Sequence, residues 1–573
     1  GTPTITLAGI NPSFGSLWLA ENLNVDAGVS FSLSNLFTLS AGTATFDGTA
    51  TTQGYVQTGG VLAGSGTFTV ASHFAQTGGS INRSGNINIV HSGNLQLGDI
   101  TTTGSFSATA SGRIFGGVHR VRGDAITLVS QNGGVAGGMA IDLDVEAGSA
   151  LTATVNAGAA HGGIHLRNFG ASAPATIALT DTADSQQSVA FYQDSGLVLG
   201  AGHSFNVGTG GIVVGAGGSL SGIETARFGG TPAQLTLIAD DDLSLSNVLS
   251  LPSTHIGLSA AGSLDIGHNL GALHLAANGG TINIGAMVTA AGDIALGAGV
   301  LNVHGNVAAQ YVSVGAGTLN VGGSGGIHAS QHLLAVVGGN AQVVGGYLKS
   351  GGDFELLVGG NLSISDQGHL WAGYGQMSPP FADASIAVGG DLSLSNGAHV
   401  IAANDVYLDL LGADSVLSLA GGPAGPSFVL SDFASGLAQT THISFFSRNS
   451  GGILIDGVET AVTRVGGSGF FAIDTNTPAL PGAGLAISYA QQAGDSITAQ
   501  LVNAINQAVD DVDPTTTPTD DNGPKPLGAR DEKGNQEDGF GDDDEDKDKK
   551  KSDAGKGEKK DEKPAQKKVA QCM

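Results

Sequence analysis

The sequence predicts an all-β protein, a right-handed parallel β-helix with a C-terminal β cap, one short helix and a disordered tail. Three observations predict the β-helix. Residues 261–322 contain short apolar pairs at alternate positions: Leu264 with Ile266, Leu273 with Leu275, Ile282 with Ile284, Ile294 with Leu296, Leu301 with Val303, Val312 with Val314, and Leu319 with Val321. Each pair is one face of a short strand, and no helix-period segment interrupts the series. One phrase then recurs along the chain, as GNINIV (85–90), GNLQLG (93–98), GNLSIS (360–365) and GDLSLS (390–395). Finally, glycine makes up 94 of 573 residues while charged residues are only 12%, which suits tight corners and outward faces of small polar side chains. A strand with two inward residues cannot bury them alone. Stacked coils form one apolar ladder and pair every strand with the coil above and below. Three short strands per coil give a repeat of about 20–25 residues.

The elements follow in chain order. Residues 1–412 read as β-helix repeats, most regular over 231–365 and interrupted at 366–384 by Trp371, Tyr374, Phe381 and the Pro379-Pro380 pair. Residues 413–490 gather Phe428, Phe433, Phe445, Phe446, Phe470 and Phe471 and are predicted to close the solenoid, because an open end coil would expose apolar side chains and unpaired strand edges. Residues 491–512 are predicted to include an amphipathic helix with Ile497, Leu501, Val502, Ile505 and Val509 as its stripe. Residues 513–573, with DDDEDKDKKK and KKDEK blocks, carry too few apolar residues to offset the cost of ordering and are predicted disordered.

Net charge is −27, and the first 509 residues hold 30 acidic and 9 basic side chains, with Lys349 the single lysine. A basic groove for nucleic acid is excluded by that balance, and docking to anionic lipid is disfavoured. No run reads as a transmembrane helix, because glycine and polar residues break every apolar stretch. With Cys572 the single cysteine, no intramolecular disulfide forms, and stability rests on strand pairing and stacked side chains. No initiator Met or signal peptide opens the sequence, so the true N-terminus is expected upstream.

The GG[ND]LxIx phrases and the stretch GGILIDGVETAVTRVGGSGFFAIDTNTPALPGAGLAISY (451–489) resemble the C-terminal part of filamentous-haemagglutinin-like exoproteins, over roughly residues 80–490. The resemblance implies a surface adhesin of Gram-negative bacteria exported by two-partner secretion, with an outer-membrane barrel as secretion partner and a host receptor or glycan as ligand. It implies an extracellular or outer-membrane-associated location. Some relatives are tethered through a cysteine-bearing C-terminus, which makes Cys572 a candidate anchor.

Several residue groups are candidates for chemistry. Arg122-Gly123-Asp124 is an RGD triplet, able to engage an integrin if displayed on a loop. Asp142, Asp144 and Glu146 alternate in IDLDVE and point one way on a strand, roughly 7 Å apart, a spacing suited to a cation such as calcium or to a glycosidase carboxylate pair; the plainer expectation is a solvated acidic face. Asp240, Asp241 and Asp242 are consecutive and read as a turn. The histidine pairs of HGGIH (161–165) and HASQH (328–332) lack a third metal ligand. GGSGG (322–326) fits a nucleophile-elbow spelling but no helix follows it. Trp371 and Tyr374 are a candidate sugar platform, or pack the insertion onto the rod. Asn82 and Asn361 head glycosylation sequons. Together these favour a non-enzymatic adhesin or structural rod without a cofactor; a β-helix polysaccharide-degrading enzyme is the alternative.

Overall fold

A computed structural model describes residues 3–375 apart from 117–118, 136–139, 157–162 and 182–187, and residues 382–402 apart from 396–397; beyond 402 it describes only strand backbones. The fold is a parallel β-solenoid. Nearly every strand pairs in parallel with a strand one coil earlier and one coil later, and one 3₁₀ turn, Thr225–Arg227, is the single helical element among the described residues.

The regular region shows how the sequence produces a coil. Leu270–Ala272, Leu275–Ala277 and Ile282–Ile284 are three consecutive strand segments, and each is overlaid in register by the next coil: Leu270 by Val288, Leu275 by Ile294, Ile282 by Leu301. The coil after that places Val307, Val312 and Leu319 on the same three positions. Three stacks of strands result. The step here is 18–19 residues, shorter than the expected 20–25, because glycine and alanine corners need fewer residues to turn. In the insertion-bearing regions the step lengthens to 25–26 residues (Arg167 to Tyr192, Ile177 to His203) and to 30 (Leu362 to Leu392).

Alternation sorts side chains to two sides. Leu264, Ile282, Leu301 and Leu319 are fully buried inside the solenoid. Burying a Leu or Ile contributes roughly 1.5–3 kcal/mol, and one continuous cluster of such residues runs from Leu19 to Ala402. The first coils use aromatic rings instead: the buried Phe31, Phe46 and Phe68 have centroids 5.4 and 5.8 Å apart, and the exposed Phe14 lies 6.0 Å from Phe31. On the outward side of the same strands, Asp265, Asn283, Asn302 and Asn320 form a ladder, each amide donating to the residue one coil below at 2.6, 2.8 and 2.8 Å.

The recurring GN and GD phrases have a structural cause. Their Asn or Asp sits at a corner, and its Oδ1 accepts the backbone N–H of a residue one coil later: Asn86 from Ser105, Asn94 from Arg113, Asn340 from Asn361, and Asn361 from Asp391. Asp47 and Asp242 do the same for Ser65 and Ser263. Each clamp satisfies an amide that no strand partner reaches. The preceding glycines leave room: a Cβ on Gly85 would lie 2.0 Å from the Gly66 carbonyl oxygen.

Several polar side chains are buried, among them Arg83 and the pair Asn168 and Gln193. Arg83 is 3% exposed, and its guanidinium donates to the carbonyls of Ala63, Gly66 and Phe46. Asn168 and Gln193 are fully buried, and Asn168 donates to Gln193 at 2.8 Å while accepting from the Val145 amide at 2.9 Å.

Strand pairing continues past residue 412. His442–Ser447 lies on Val406–Leu410, and Phe470–Asp474 lies on His442–Ser447, both parallel. Ile453–Ile455 and Val458–Glu459 pair antiparallel. Apart from these strands and the parallel strands Leu417–Ala420 and Ser427–Leu430, the cap expected at 413–490 lies outside the described residues, as do the helix expected within 491–512 and the tail 513–573 with Cys572.

Candidate functional site

Coil register decides which of the sequence candidates meet. The RGD triplet and the IDLDVE carboxylates, twenty residues apart in the chain, are stacked neighbours. Arg120 is overlaid by Asp142 and Arg122 by Asp144, and Asp142 is overlaid in turn by Arg167. The carboxylates therefore sit among guanidinium groups rather than forming an open acidic row. Arg122 Nε lies 3.6 Å from Asp144 Oδ2. Gly123 faces inward in the strand Arg120–Gly123, and Asp124, just past the strand, accepts from the Ser149 hydroxyl. The triplet is thus part of the solenoid wall. Glu146 follows the strand Ile141–Val145. Among the described residues, no three His, Cys, Asp or Glu side chains come together as a metal site.

The same outward face continues upward as an arginine–aromatic stack. Arg120 and Arg167 lie 3.9 and 4.4 Å from the Phe169 ring, and Arg167 also pairs with Asp194 at 2.7 Å. Tyr192 donates to Asp240 at 2.8 Å. Ala190, Tyr192, Val213 and Ile238 are buried on this outward side, in a small cluster with Ala140. Asp240 and Asp242 stand at a corner, the latter held by Ser263.

The histidine pairs do not converge. His161 lies outside the described residues, and His165 contacts Ser188 at 3.1 Å, with burial pulling its pKa down to about 4. His328 stacks under Lys349, whereas His332 faces Glu355 at 3.8 Å. GGSGG is the turn between Asn306–Gly322 and Gly326–Val337, with Gly323 at φ 67°. Both sequon asparagines, Asn82 and Asn361, are exposed, and the Asn361 Oδ1 accepts the Asp391 amide as a corner clamp.

The densest set of functional side chains surrounds Lys349. Register stacks His328, Lys349 and Trp371 on successive coils, and stacks Tyr347, His369 and His399 beside them. The Lys349 ammonium lies 4.2 Å from the Tyr347 ring centroid, 4.4 Å from Tyr374 and 5.7 Å from Trp371. Trp371 and Tyr374 meet edge to face at 4.8 Å, and His328 meets Tyr374 edge to face at 5.4 Å. Tyr347 is oriented by its hydroxyl, which donates to Asn306 at 2.8 Å, and its ring fills the space over Gly326, where a Cβ would lie 2.4 Å from Cδ2. Partial burial lowers the Lys349 pKa and raises that of Tyr347. The sequence flagged Trp371 and Tyr374 because aromatic residues are scarce. It did not flag Tyr347; it weighed His328 only as one of a histidine pair and noted Lys349 only as the single lysine of the first 509 residues.

A second column of titratable groups follows one edge. His255 stacks on His274 with centroids 4.8 Å apart, and His274 Nδ1 lies 2.8 Å from Asp293. Asp293 is overlaid by Tyr311 and Tyr311 by His332. Next to His332, burial and the neighbouring Asp353 push the Glu355 carboxyl up to about 7.

A polar groove of about 380 Å³ crosses the first coils, lined by residues such as Asp47, Ser65, Ser84 and Asn86. No helix among the described residues is long and apolar enough to cross a membrane. No protein-family model, curated protein or solved structure matches this chain.

Proposed function

We propose that this chain is a non-enzymatic adhesin or surface-structural rod of the filamentous-haemagglutinin-like kind, acting outside the cell and carried there through an outer-membrane barrel partner. The observation that supports this reading is the uninterrupted parallel stack whose outward positions are mostly short polar residues. Such a stack is stiff along its axis because each coil is bonded to both neighbours. It holds side-chain clusters at fixed positions and leaves few groups free to move in a reaction cycle. Asp142 and Asp144 are stacked in register with Arg120, Arg122 and Arg167 rather than with a second carboxylate row.

A polysaccharide-degrading enzyme is the second reading. Glu355, near pKa 7 beside His332 and Asp353, supports it, since a general acid needs such a value. One experiment separates the two. The purified chain is tested for binding to host cells and a glycan panel, and for release of reducing sugar from the same polysaccharides. The adhesin reading expects binding without release. Turnover abolished by Glu355→Gln or Asp142→Ala overturns it in favour of the enzyme, and absence of both binding and turnover leaves a structural rod.

A further inference from the structure

We infer that Tyr347, Lys349, Trp371 and Tyr374 form a binding subsite for a carboxylate-bearing sugar. The inference rests on the adhesin reading and names the ligand class for it.

Three features carry it. The four side chains come from two consecutive coils and converge on one spot, with the ammonium 4.2–5.7 Å from three ring centroids. Aromatic faces stack on the C–H faces of a pyranose, and two rings set edge to face offer such a surface together with a wall. The ammonium is also unusual for this chain. In a body with 30 acidic and 9 basic residues, Lys349 has no carboxylate within ion-pair distance among the described residues. Its rings satisfy the charge in part, but they take none of its three N–H donors in the manner of an oxygen acceptor. A ligand carboxylate is the group that uses them. Finally, the cluster is prearranged. Tyr347 is fixed by Asn306 and by the vacancy over Gly326, and strand pairing fixes Lys349 over His328 and under Trp371. Rings and stems held in place before the ligand arrives reduce the entropy cost of binding.

The charge distribution adds selectivity. The body is strongly acidic, so a densely anionic polymer is repelled over most of the surface. A sugar presenting isolated carboxylates meets one ammonium surrounded by apolar rings, where their pairing is less screened than in open water.

The test uses Trp371 as its own reporter. The chain has two tryptophans, and Trp18 is remote on the first coils and 73% exposed, so a Trp18→Phe chain isolates Trp371 emission. Titration with glucuronate- and galacturonate-containing oligosaccharides is expected to change that emission saturably. Neutral glucose and galactose oligosaccharides are expected to bind roughly tenfold more weakly, and Lys349→Met, which keeps the stem and removes the charge, to abolish the difference. Equal response to acidic and neutral sugars, or an unchanged preference in Lys349→Met with unaltered circular dichroism, overturns the subsite. Cell binding measured in parallel distinguishes the two failures: a Lys349→Met chain that still binds cells fully sinks the subsite alone, whereas an unsubstituted chain that binds neither cells nor sugars sinks the adhesin reading with it.

Discussion

Replacing Arg83 by Met tests how the first coils are held together. Arg83 points inward and is 3% exposed, and its guanidinium donates at 2.5 Å to Ala63, 2.7 Å to Gly66 and 3.2 Å to Phe46. These acceptors belong to earlier coils, the farthest 37 residues back, so one side chain ties together more than its immediate neighbour. Burial lowers its pKa to about 10, which leaves it charged at neutral pH. Methionine keeps most of the volume and removes three donated hydrogen bonds, of whose acceptors the Phe46 carbonyl still receives the Gly66 amide. Hydrogen bonds from a charged donor contribute about 1.5–3 kcal/mol each, and relief of the buried charge offsets part of the sum. A net loss of about 3 kcal/mol is expected, localised to residues 43–102 because solenoid coils are stabilised mainly by their neighbours. Hydrogen exchange followed by mass spectrometry reads this directly: amides in those coils should exchange on the order of a hundredfold faster, while those of residues 250–340 stay unchanged. Unchanged or increased protection at 43–102 would show that the buried charge costs more than its hydrogen bonds return, and would refute the reasoning.

Further predictions follow from other parts of the stack. Asn361→Asp should be nearly silent, because Asp47 and Asp242 make the same corner clamp, whereas Asn361→Leu should cost about 1 kcal/mol in a denaturant melt. Gly85→Ala should destabilise by about 1–3 kcal/mol, since its Cβ would meet two backbone oxygens at 2.0 and 2.3 Å, while Gly267→Ala, with open space around it, should be neutral or slightly stabilising. Glu355 makes stability pH-dependent. Its folded pKa is raised from 4.5 to about 7, so its contribution is complete below pH 4.5 and is lost as pH rises to 7, by at most about 3 kcal/mol; Glu355→Gln should flatten that decline in melts across this range. His165 acts in the opposite sense: its folded pKa falls from 6.5 to about 4, so stability should drop as pH falls through that interval, and His165→Asn should remove the drop.

Much of the fold was legible because burial follows a period of two. Ile282, Ile284, Leu301 and Val303 could be assigned inward from sequence alone, and all are fully buried. The coil length was less legible, since corner glycines such as Gly285 and Gly305 shorten turns in a way that composition does not count. The sites were least legible. Lys349 and Trp371 are neighbours only because one coil there spans 22 residues, and Arg122 meets Asp144 for the same reason. Nothing in the local spacing announces a contact set by coil length. The RGD triplet could have been read more closely: in RVRGDAITL the alternation already places Gly123 inward, with Val121, which puts the triplet in a strand.

The adhesin account is tested most directly by one chromatographic measurement. A glucuronate-containing polysaccharide is incubated with the chain, and the mixture is separated by size-exclusion chromatography with light scattering. The account predicts that the chain co-elutes with a polymer of unchanged mass. A shortened polymer would contradict it, as would a chain that elutes alone and also fails to bind host cells.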